Sequence, residues 1–156
     1  MDERAGWSMG ALAGSLVAGL AISALMLAKE QQSGGPSDLV VWERKGAQDV
    51  GLSTRRGAAN WLEQAVAHGG HLALSALGGV AYAAAFEGDA PVVASGLAFG
   101  SAFYVACHWV LGPLLRLKPP EWREPPEAVT QHLIVHAAFG VLIAAGARLG
   151  ARLSKS

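Results

Sequence analysis

Residues 128–147 read AVTQHLIVHAAFGVLIAAGA, twenty positions with two histidines and no Asp, Glu, Lys or Arg. As a helix rising about 1.5 Å per residue, a run of this length crosses the hydrocarbon core of a bilayer. Outward from it, residues 5–28, 64–86 and 90–115 are equally free of charge, and the four stretches hold 93 of the 156 residues. All 24 charged side chains therefore fall in the other 63. This segregation predicts an all-α fold, an integral membrane four-helix transmembrane bundle forming one domain, with spans over about residues 6–28, 60–86, 91–117 and 127–150. Mean hydropathy is only +0.32 because Ala and Gly supply 50 residues, which score weakly yet let helices approach closely in lipid.

The connections support this division. Residues 30–59 form the one long link, and its segment Asp38–Lys45 is read either as an interfacial helix or as a solvated loop. Glu87–Pro91 makes a tight turn between spans two and three, Gly112–Pro113 bends the end of span three, and the proline-rich Lys118–Pro126 link cannot be regular helix. The N-terminal stretch lacks a basic leader region and is read as a retained span. Lys29, Arg44, Lys45, Arg55, Arg56, Arg116, Lys118 and Arg123 fall on one side of the bundle, against Arg4, Arg148, Arg152 and Lys155 on the other. By the positive-inside rule both termini are expected outside and the large connections in the cytoplasm. Trp7, Trp61 and Trp122 fall near span ends, where indoles anchor at the interface.

Several function classes drop out. Zero net charge without a basic stripe gives no footprint for nucleic acid. Cys107 stands alone, so there is no intramolecular disulfide and no zinc-finger spacing. No nucleophile elbow, phosphate loop or His-Glu-x-x-His pattern assigns an enzyme class. The lipid bilayer is the expected partner. Small residues four apart, Gly10 and Gly14, Gly96 and Gly100, Gly146 and Gly150, make flat grooves that serve packing within the bundle or contact with a second copy or a partner membrane protein.

All five histidines, His68, His71, His108, His132 and His136, lie in or at the margin of the uncharged windows. Ionisable groups there normally face the bundle interior. Counted from the cytoplasmic span ends, His68, His108 and His136 reach a similar depth of about 12 to 14 Å on three helices. Gln64, Ser75 and Tyr82 share a helical stripe with His68 and His71, and Ser101 and Tyr104 one with His108, so these residues are expected to line a polar pocket. Such a layer can carry protons or sense pH, or it can bind a transition metal or, through two facing rings, haem. Alternatively each ring only bonds a neighbour and fixes helix register. With Glu63 and Glu127 at the span mouths, no carboxylate is expected in the layer.

The run His108-Trp109-Val110-Leu111-Gly112-Pro113, then Lys118-Pro119-Pro120-Glu121-Trp122, then His132 to Gly140 resembles the YagU-like family of small bacterial inner-membrane proteins, over roughly residues 65–145. Where that family tends to carry an acidic residue one turn before the last histidine, this chain has His132. The resemblance implies a bacterial inner-membrane protein with a link to acid tolerance and no assigned catalysis.

Overall fold

The structure is a computed structural model that describes residues 2–52, 57, 59–86 and 88–155. Arg55 and Arg56 of the charge bias, and Glu87 of the expected turn, lie outside the described residues. Helix α1 spans Glu3–Ser33 and closes at Gly34, whose left-handed conformation (φ 68°) lets its N–H donate to the Glu30 carbonyl. The long connection holds a second helix, α2, Asp38–Asp49. Helix α3, Trp61–Ala85, starts from a capping box in which the Asn60 side chain accepts from Leu62 and Glu63, and the Glu63 carboxylate accepts from the Asn60 N–H. Arg44 of α2 forks onto that carboxylate with two bonds of 3.1 Å, fastening α2 across the start of α3. Helix α4 spans Val92–Leu114 and helix α5 Pro126–Leu153, its first-turn proline occupying a position where a missing N–H costs nothing.

The fold is helical throughout the described residues, but the four-span reading narrows. Helices α1, α4 and α5 are long and apolar enough to cross a membrane. Helix α3 has the length, 25 residues, yet it carries His68, His71 and four glycines, which pull down its hydropathy. Among the described residues there are thus three candidate membrane-spanning helices.

The helices meet backbone to backbone. A Cβ on Gly10 or Gly14 would strike the Gly146 or Leu142 carbonyl of α5, and one on Gly146 or Gly150 would strike α1 in return. On its other side α5 meets α4, where Gly96 and Gly100 press against Gly140, Val141 and the His136 backbone. Helix α1 in turn receives α3, with Gly19 against Ser75 and Gly79 against Ser15. The order around the bundle is therefore α3, α1, α5, α4, and the small-residue rows are filled within the chain.

Rings fill the space these contacts leave. Trp7 stacks on Tyr82 at 5.8 Å, Tyr82 meets Phe99 edge-on at 5.4 Å, and Phe103 stacks on both Phe99 and Phe139. Trp7, expected at the interface, is instead buried in this core, where its indole stacks on the Tyr82 ring. Trp61 and Trp122 remain largely exposed near the span ends.

Enlarging a glycine at these crossings should be costly, whereas Gly69 faces open space. Gly140→Leu is expected to lower thermal stability in detergent by about 1–3 kcal/mol or more through overpacking. Gly69→Leu should not lower it, because the added side chain meets open space and replaces a poor helix former.

Candidate metal centre

Buried positions on α4 recur every fourth residue at Gly96, Gly100, Tyr104, His108 and Gly112. In an unbroken α-helix each four-residue step overshoots a full turn by about 40°, and the row would spiral away from α5. A π-helical turn over Val105–Leu111 absorbs the excess, with the Gly112 N–H donating five residues back to the Cys107 carbonyl. Pro113 has no N–H to give to Trp109, which suits a break in the α ladder there. His108 consequently returns to α5 and packs against His132 and His136, with ring centroids 4.5 and 4.9 Å away.

Beyond α4 the chain doubles back. Arg116 adopts a left-handed conformation (φ 57°), and the Leu117 N–H donates to the Gly112 carbonyl at 2.9 Å. Two prolines hold the following backbone extended up to a short 3-10 turn, Glu121–Arg123. This reversal carries Lys118 and Glu121 inward, leaving them 5 % and 0 % exposed. The expectation that no carboxylate joins the histidines is therefore wrong. The residue that joins them comes from the link, not from a span mouth.

Glu121 uses both oxygens. Its Oε1 accepts from the Tyr104 hydroxyl at 2.9 Å and from His132 Nδ1 at 2.8 Å, and its Oε2 pairs with the Lys118 ammonium and lies 3.4 Å from His108 Nδ1. Lys118 also donates to His108 Nδ1 at 3.1 Å and sits 5.5 Å from the Trp42 ring centroid, so α2 roofs the cluster. One nitrogen each from His108 and His132 and one Glu121 oxygen lie within 4.8 Å of one another. Two imidazoles and a carboxylate make a recognised donor set for Zn or another transition ion.

The sequence-derived site residues divide between this cluster and its surroundings. A cavity of about 360 Å³ lies beside it, lined by His71, His108, His132 and His136 together with Ser75, Phe103, Phe139 and the polar end of α1. His71 Nδ1 is 3.0 Å from the Ser23 hydroxyl, which ties α3 to α1. His136 Nδ1 donates to the His132 carbonyl at 2.8 Å. His68 turns aside, its Nε2 donating to Gln64 Oε1 at 3.1 Å, and neither residue lines the cavity. The grouping by depth thus gives way to one made by facing helices: His108, His132 and His136 converge, and His68 does not. Tyr82 is sealed in the aromatic core with its hydroxyl 2.7 Å from Ser95, Ser101 is half-buried away from the cavity, and Tyr104 bonds Glu121.

Burial pushes the Glu121 carboxyl up, but hydrogen bonds from Lys118, His132 and Tyr104 outweigh it and hold the group at about 2, below its ordinary 4.5. A carboxyl depressed by folding stabilises the fold above its unfolded pKa, and that contribution fades as pH falls toward the folded value. Thermal stability in detergent should accordingly decline from about pH 4.5 toward pH 2. Glu121→Gln, less stable at neutral pH because it strands the Lys118 charge, should lack this component over the same range.

Comparison of the chain with models of protein families, with curated proteins and with solved structures finds no match. Its functional reading rests on the geometry of this cluster.

Proposed function

We propose that the chain is a multi-pass membrane protein that binds a divalent transition-metal ion through His108, Glu121 and His132. The observation that carries this reading is the convergence of the three donor groups within 4.8 Å in a buried site. Two neutral imidazoles favour Zn, Fe, Ni or Cu over Ca or Mg, for which a single carboxylate is a poor cage. Three protein donors also leave a coordination position open, and the cavity beside His108 and His132 gives it room. Haem fits less well, since the clustered rings of His108, His132 and His136 touch one another and leave no slot for a macrocycle between them.

The membrane setting of this proposal keeps α3 as a fourth span. Val66, Leu77 and Val80 on its outer face are 52 %, 64 % and 58 % exposed, matching Val17 and Leu20 on α1 and Ile134 and Leu149 on α5. With both termini outside, the metal centre lies at the cytoplasmic end of the bundle, and the YagU-like resemblance supports only the bacterial inner membrane as its setting. A proton-handling role with a link to acid tolerance is the second reading, favoured by the buried Lys118–Glu121 pair that shares the cluster with three imidazoles.

Metal analysis decides between them. Detergent-purified protein loaded with Co²⁺ should hold a single equivalent and show the visible absorption of a nitrogen- and oxygen-ligated ion. His132→Asn and Glu121→Gln should each weaken binding by about tenfold or more, the usual effect of losing a well-placed group around a metal. Stoichiometric binding unchanged in both variants, or none in the parent protein, would sink the assignment and leave the proton reading. Separately, a reporter active only in the cytoplasm should stay silent on the C-terminus.

A further inference from the structure

We infer that Lys118 is a tethered cation of the metal centre, an ammonium that an incoming ion must displace and that Glu124 then receives. This rests on the metal reading above and adds what competes for the donors. An ammonium can only donate, so its 3.1 Å bond to His108 Nδ1 shows that the lone pair of that nitrogen is aimed at Lys118 Nζ. Glu121 Oε2 pairs with the same nitrogen, and the Trp42 ring stands over it. Two of the three metal donors therefore converge on a position that a positive charge already holds, with the lysine side chain 2 % exposed. A metal ion and an ammonium within bonding distance of the same donors repel strongly in so dry a setting, and only one of them occupies the position.

A buried cation that leaves its partner needs another. Glu124 supplies it: its Oε1 is 4.0 Å from Lys118 Nζ, and its side chain is 26 % exposed. The flexible four-carbon stem of lysine spans the change without moving Pro119 or Pro120. Loading is then an exchange in which the metal takes Glu121 and the ammonium passes to Glu124, so neither carboxylate is left bare. The exchange also selects the ion. A cation that can use only the carboxylate gains little over the ammonium already there, whereas one that binds imidazole nitrogen gains His108 and His132 as well.

The chain has four lysines, Lys29, Lys45, Lys118 and Lys155, which makes amine labelling a direct probe of the native protein. With detergent-solubilised wild type, an acetylating reagent should leave Lys118 protected without metal and modify it once Zn²⁺ is bound, the other three lysines serving as references. Equal protection of Lys118 at saturating Zn²⁺ overturns the exchange. In Zn²⁺ titrations Lys118→Met should bind about tenfold or more tighter, a competitor having been removed, and Glu124→Gln severalfold weaker because the ammonium loses its second partner. Unchanged affinity in Glu124→Gln, or unchanged or weaker affinity in folded Lys118→Met, also counts against the exchange. If Lys118→Met does not fold, the labelling and Glu124→Gln arms decide. Failure of all three proteins to bind Zn²⁺ is a different result, and it removes the metal reading itself.

Discussion

Contact between bare helix backbones is the constraint on which the rest of this structure depends. In lipid there is no hydrophobic gain from bringing two helices together, so close packing and hydrogen bonds must hold them. Helix α5 meets α1 through Gly146 and Gly150 and meets α4 through Gly140, with carbonyls of one helix lying where side chains of the other would be. Helices this close have little freedom to slide. His132 and His136, on the same helix, are positioned by that lack of freedom as much as by their own bonds.

The opposite problem is solved at the end of the bundle, where charge is brought inside. A buried carboxylate is tolerable only when its lone pairs are occupied and its charge is matched. Glu121 meets both conditions through Tyr104, His132 and Lys118, each from a different element or the link itself. Rigid backbone makes this affordable, since Pro119 and Pro120 fix the approach of Lys118 and Glu121 before their side chains are ordered. Arg44 and Glu63 perform a similar service for α2, and through Trp42 that helix closes the roof over the cluster.

Charge segregation made the helical, membrane-directed character legible from residues alone, and the small-residue steps at Gly10, Gly96 and Gly146 marked faces that do meet other helices. What sequence periodicity could not reveal was register between helices. Depth counting set His68 beside His108 and His136, but the His68 ring bonds Gln64 one turn away on its own helix, and it is His71 that lines the cavity. Glu121 was missed for a related reason. Its inward path depends on a left-handed Arg116 and on backbone bonds returning to Gly112, features that have no periodic signature. The one visible signal was a lysine and a glutamate flanking two prolines, a pattern that locks the two side chains into a fixed relation.

The π-helical turn in α4 carries a mechanical implication. Its hydrogen bonds reach one carbonyl further back than those of the α form, which turns the helix by less per residue and sets the angle at which His108 meets α5. His132 is carried by a clamped helix and Glu121 by a proline-stiffened strap. Of the three donor residues, His108 is thus the one whose setting comes from a π-helical turn, and not from a glycine contact or a proline-stiffened link.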